Sequence, residues 1–71
     1  MSPDEVRAMC AASTTVSVPQ AGRALWDIGR NGSYELAKRN ELGVDVYEVG
    51  HRLRVRSADL LAALGYDRVA S

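Results

Sequence analysis

Arg30, Asn31, Ser33 and Tyr34 stand almost side by side, with Lys38 and Arg39 one helical turn later; His51, Arg52 and Arg54 follow farther on. These side chains mostly donate hydrogen bonds and carry positive charge. They suit recognition better than covalent chemistry. Asparagine can make two hydrogen bonds to adenine, and arginine can do the same to guanine, so Asn31 and Arg30 are the candidate base readers. Tyr34 and Lys38 are candidates for phosphate contacts, and Arg52 and Arg54 can neutralise phosphates or enter a minor groove. Tyr34 is alternatively a half-buried core residue, and Glu35 with Arg39 fits a surface ion pair worth a few tenths of a kcal/mol, about the usual size. An enzyme is not expected. There is a single histidine, no cysteine pair, no Gly-rich phosphate loop and no Ser/His/Asp arrangement. His51 has no second ligand at metal spacing, so it reads as a turn residue or a phosphate donor, and no cofactor or metal is expected.

Four helices and a hairpin must position these groups. Ser2-Pro3-Asp4-Glu5 is a helix start with the spacing of a capping box, and Val6, Met9 and Cys10 carry a short amphipathic helix to about Ala12. That helix covers the core, meets a second protomer or frays. Ser13-Thr14-Thr15 ends it. Ser17 and Gln20 form a second capping box with Val16 as a staple, and Ala21, Ala24 and Leu25 give a stripe running to about Trp26. Trp26 reads as a core or turn anchor. Asp27-Ile28-Gly29 is a tight turn with Gly29 at its hinge. The next helix begins near Asn31 and ends at Arg39, with Asn40 suited to a left-handed position. Ser33, Leu36 and Ala37 share its inner face, and two of the three are small enough for close packing.

From Val44 to Val55 the period changes to two, interrupted at Gly50-His51, which predicts a β-hairpin. Leu53 and Val55 take one face; Arg52, Arg54 and Arg56 take the other. Whether Tyr47 joins the arginines depends on the turn length. Ser57 is the expected cap of a last helix bearing Leu60, Leu61 and Leu64, and Gly65 ends it. The expected fold is mainly α with a small β-hairpin wing, a winged helix-turn-helix. Residues 1–15 form an N-terminal helix and connector, 16–65 the domain itself, and 66–71 a short C-terminal tail.

Seventy-one residues allow one domain and no deep catalytic cleft. Nine basic and nine acidic residues cancel, so net charge identifies no partner. Their distribution is more informative. Arg30, Lys38, Arg39, Arg52, Arg54 and Arg56 cluster within residues 30–56, and exposed charges act over roughly 10 Å, so a local basic surface can meet phosphate. Cys10, the single cysteine, reads as a small apolar helix residue and suits a reducing compartment. No membrane span or basic signal region is visible, and a cytoplasmic location in a bacterial host is expected.

The segments Ser17-Val18-Pro19-Gln20-Ala21, Ile28-Gly29-Arg30, Ser33-Tyr34-Glu35-Leu36-Ala37, Glu41-Leu42, Val49-Gly50-His51-Arg52-Leu53-Arg54-Val55 and Leu60-Leu61 occur in an order that is informative as a set. Over Val16 to Gly65 the chain resembles the DNA-binding domain of phage-type excisionases, which share their fold with the N-terminal part of MerR-type regulators. The resemblance implies a recognition helix with Arg30, Asn31, Gly32, Ser33, Tyr34, Lys38 and Arg39 at the DNA, and a wing with His51, Arg52 and Arg54. It further implies double-stranded DNA and an integrase as partners, with several protomers side by side bending attachment-site DNA for prophage excision. Gly43 departs from the pattern, which usually has proline there. Gly32 departs too, since glycine inside a helix costs up to about 1 kcal/mol; it either lets the backbone approach DNA or makes the helix depend on DNA for order. MerR-type regulators carry a C-terminal extension, and only six residues follow Gly65, which favours the excisionase reading. A small transcriptional regulator using the same surface, and an adaptor whose basic face binds an acidic protein, are the other readings.

Overall fold

Local chemistry starts and stops most elements of the computed structural model, which describes residues 2–66. The order is α1 (Pro3–Ala12), β1 (Thr15–Ser17), α2 (Val18–Trp26), α3 (Arg30–Lys38), β2 (Val46–Val49), β3 (Arg52–Arg56) and α4 (Ser57–Leu64). Ser2 caps α1 by accepting from the Glu5 N–H at 3.2 Å; the reciprocal half of that box is not formed among the described residues. Both halves of the second box are present. Ser17 Oγ accepts from the Gln20 N–H at 3.2 Å, and Gln20 Oε1 accepts from the Ser17 N–H at 2.9 Å. Asn40 takes the left-handed position after α3 with φ 56°, and Gly65 does so after α4 with φ 76°.

The fold is mixed α/β rather than mainly α. Four helices surround a three-stranded antiparallel sheet of order β1-β3-β2, a layout consistent with a winged-helix-like arrangement. The third strand is the unexpected part. Thr15–Ser17 pairs with β3 so that Thr15, Val16 and Ser17 face Arg56, Val55 and Arg54. Val46 lies on the other side of Val55, so a row Val16-Val55-Val46 crosses the sheet toward the core.

That core holds Val6, Cys10, Val16, Val18, Ala21, Leu42, Val55 and Leu60. The first helix therefore covers the core, through Val6 and Cys10, and packs beside α4. Truncating a fully enclosed leucine such as Leu60 to alanine removes about 2–5 kcal/mol. Ser57 does not cap α4 as expected. Arg56 occupies the cap position without a side-chain bond, while the buried Ser57 Oγ donates to the Ser13 carbonyl at 2.6 Å. This bond and that from the Ser57 N–H to the Thr14 carbonyl (2.9 Å) fasten the start of α4 to the end of α1.

Helices α2 and α3 approach closely because Gly22 faces Ser33, both buried. Trp26 is a turn anchor: its indole N–H donates to the Leu42 carbonyl at 2.8 Å, although the ring is 53% exposed. No described helix is long and apolar enough to cross a membrane. The expected tail lies, from residue 67 onward, outside the described residues.

Candidate nucleic-acid interface

The turn between α2 and α3 sets where the first polar side chains of α3 emerge. Asp27, not Gly29, makes the bend. Asp27 has φ 53° and its N–H closes on the Arg23 carbonyl at 3.0 Å, whereas Gly29 has φ −76° and ψ −177°, ordinary extended backbone. Asn and Asp tolerate the left-handed region because their short polar side chains interact locally with backbone. Helix α3 then begins at Arg30.

On α3, Arg30, Asn31, Lys38 and Arg39 are exposed and Tyr34 is half-buried. Tyr34 takes the half-buried core position, packed against the core cluster, and its ring carries the Arg30 guanidinium 5.7 Å from its centroid. Arg39 lies 3.9 Å from Glu35 with both side chains well exposed, so water and salt screen the pair heavily. One predicted contact residue is corrected. Ser33 is completely buried against Gly22, with its hydroxyl donating to the Gly29 carbonyl at 2.8 Å, so it cannot touch a ligand. Gly32 is half-buried, and an added Cβ would stand 3.5 Å from the Ile28 side chain, an ordinary contact.

The hairpin turns on Gly50 and His51. Gly50 has φ 64°, the positive value a two-residue turn of type II′ needs at its first position. With the turn length known, the register is settled. Tyr47 pairs with Arg54 and Val49 with Arg52, so Tyr47 shares the face of the arginines. The three arginines meet different surroundings. Arg52 is exposed beside the turn. Arg54 is half-buried and lies across β1, with Nε donating to Thr15 Oγ1 at 3.2 Å and Nη2 to the Thr15 carbonyl at 3.1 Å. Arg56 stacks on Tyr47 at 4.4 Å from the ring centroid.

Between α3 and the hairpin is a concavity lined by Ser17, Arg30, Tyr34, His51, Arg52, Leu53 and Arg54. It brings together five of the predicted contact residues, from both segments, and no carboxylate lines it. Asn31 and Lys38 on α3, and Arg39 at its C-cap, lie outside this lining. Ser17 was missed, and Tyr47, whose facing was left open, shares the arginine face without lining the concavity. Ser17 reaches the concavity only because β1 pairs with β3, and Tyr47 could have been placed by assuming a two-residue turn.

Chemically the surface offers guanidinium, imidazole and phenol donors to an anion. Among the described residues, no group of three or more His, Cys, Asp and Glu is placed to hold a metal ion. Cys10 lies in the core, where burial pushes its thiol above the ordinary value. No protein-family model, curated protein or solved structure matches the chain.

Proposed function

We propose that the protein binds duplex DNA as a winged helix-turn-helix, with α2 and α3 as the helix pair and β2–β3 as the wing. The observation that carries this reading is the acid-free concavity where Arg30 and Tyr34 of α3 meet His51, Arg52 and Arg54 of β3 and its turn. A helix and an adjacent hairpin, both edged with cations, suit a duplex: a major groove about 12 Å wide takes one helix while the hairpin lies over the backbone. Asn31, exposed near the start of α3, is the base reader of this reading, and Lys38 lies one to two turns along for phosphate.

The resemblance of Val16 to Gly65 to phage-type excisionases supports a more specific role. The protein acts as an architectural, non-catalytic factor. Protomers bind side by side on attachment-site DNA, bend it, and promote integrase-mediated excision of a prophage in the host cytoplasm. Cooperative binding compensates for the few contacts one small module makes.

Binding to attachment-site duplex and to scrambled duplex, measured across salt, tests the reading. Tighter binding to the attachment site and a steep loss with salt are expected; equal, salt-independent affinities would overturn specific DNA binding. Asn31→Ala should reduce the preference between the duplexes, while Arg52→Ala should weaken both. An excision assay with the cognate integrase tests the recombination role, which fails if omitting the protein leaves excision unchanged.

A further inference from the structure

We infer that the concavity between α3 and β3 is a seat for one phosphate group, with Arg54 as its fixed donor and Arg30 as its second. The inference rests on the DNA-binding reading for the source of that phosphate, the duplex backbone. It changes the role of Arg30, from a reader of bases to a contact that positions the duplex.

Arg54 is the central observation. The residue is half-buried and the partners of its guanidinium are neutral, a threonine hydroxyl and a backbone carbonyl. Neither ion pair found among the described residues involves it. A guanidinium held only by neutral partners keeps its charge unopposed, and an arriving anion meets it with charge-assisted hydrogen bonds. The two bonds to Thr15 fix the plane of the fork and leave Nη1 and one N–H of Nη2 for a ligand. Little side-chain freedom remains to be lost on binding.

Arg30 approaches from the opposite wall. Its guanidinium lies over the Tyr34 ring, within the distance at which a cation and an aromatic face attract. Both side chains line the same concavity, whereas Asn31, the next residue, does not. Ser17 is there too, but its hydroxyl donates to Gln20 Oε1 at 3.1 Å and is committed to the helix cap. His51 and Arg52, both exposed, form the outer rim. Helix α3 thus divides its labour: Arg30 faces the seat and the backbone, and Asn31 remains outside it to meet a base edge.

Two arms test the seat with the full chain. In the first, inorganic phosphate is titrated at constant ionic strength, with chloride as the balancing anion, while the arginine Nε–Hε resonances are followed by NMR. Saturable shifts at Arg54 and Arg30 are expected, retained in Arg23→Gln, an exposed α2 position outside the concavity, and lost in Arg30→Gln, an exposed substitution that leaves the fold intact. Shifts that grow linearly and equally at Arg7 and Arg23 would overturn the seat. In the second arm, Arg30→Ala should lower affinity for attachment-site and scrambled duplex by the same factor, about tenfold for one charged hydrogen-bonding contact. Its salt slope should fall by about one phosphate contact. A loss confined to the attachment-site duplex would make Arg30 a base reader and overturn the assignment. Saturable phosphate binding without any duplex binding would uphold the seat and reject the DNA reading.

Discussion

Gly22 of α2 and Ser33 of α3 touch so closely that a Cβ on Gly22 would overlap the Ser33 hydroxyl and stand 2.6 Å from the Ser33 Cβ. The contact sets the distance between the two helices and so the position of Arg30 relative to the hairpin. Gly22→Ala should destabilise the protein by about 1–3 kcal/mol, because overpacking outweighs the gain in helix propensity. Adding Ser33→Gly makes room and should recover part of that loss. Urea unfolding of the two single variants and the double variant measures the coupling; strict additivity would mean that the helices do not meet here.

Gly32 makes the opposite prediction, one position from Ser33. An added Cβ would sit in ordinary contact with Ile28, at 3.5 Å and beyond, within a helix at negative φ. Gly32→Ala should therefore stabilise the chain, by up to about 1 kcal/mol, through the higher helix propensity of alanine. Duplex affinity should be unchanged. A marked loss of affinity with a raised melting temperature would show that the glycine serves close approach to DNA after all.

Gly43 has a φ of 97°, in the region that favours glycine. Proline is locked near −65°, so Gly43→Pro should destabilise rather than rigidify the loop, by more than about 1 kcal/mol. The Trp26 indole, bonded to the neighbouring Leu42 carbonyl, provides the probe. Its fluorescence should shift as the loop is displaced. An unchanged spectrum with unchanged stability would contradict the loop geometry.

Cys10 links stability to alkaline pH. Burial raises its thiol pKa in the folded chain above the ordinary value, so the neutral form is favoured by folding. The corresponding stability is fully present below the unfolded pKa and is lost as pH rises through the folded one. Wild type should lose more stability than Cys10→Ala over that alkaline window, although the alanine variant starts lower because of its cavity. Parallel pH profiles for the two proteins would remove the linkage.

Elements defined by local chemistry could be read in advance. The Ser17–Gln20 box, Asn40, Gly65 and the Gly50-His51 turn each depend on a few neighbouring residues, and all take their expected places. What escaped depends on distant partners. Thr15–Ser17 is three residues long, too short to show alternation, and is a strand only because Arg54, Val55 and Arg56 lie beside it. Ser33 was rightly placed on the close-packed face of α3, yet grouping it with its neighbours also put it at the interface; its burial against Gly22 excludes that. Asp27 and Gly29 are both turn formers, and only the backbone angles show which one bends. The cationic residues of the hairpin were visible by type, but Arg54 differs from Arg52 through Thr15, 39 positions away.

The pairing of β1 with β3 also has a kinetic meaning. Helices α2 and α3 and the β2–β3 hairpin are built from local contacts and can form quickly, but β1 has no partner until Arg52–Arg56 reaches it. Closing that span must come before the sheet is complete, and the search for such distant partners slows folding. Until then, one edge of β3 stands open and can template pairing with another chain. A second molecule's Thr15–Ser17 presents the same donors and acceptors as the chain's own, so crowded refolding should divert part of the protein into strand-exchanged dimers.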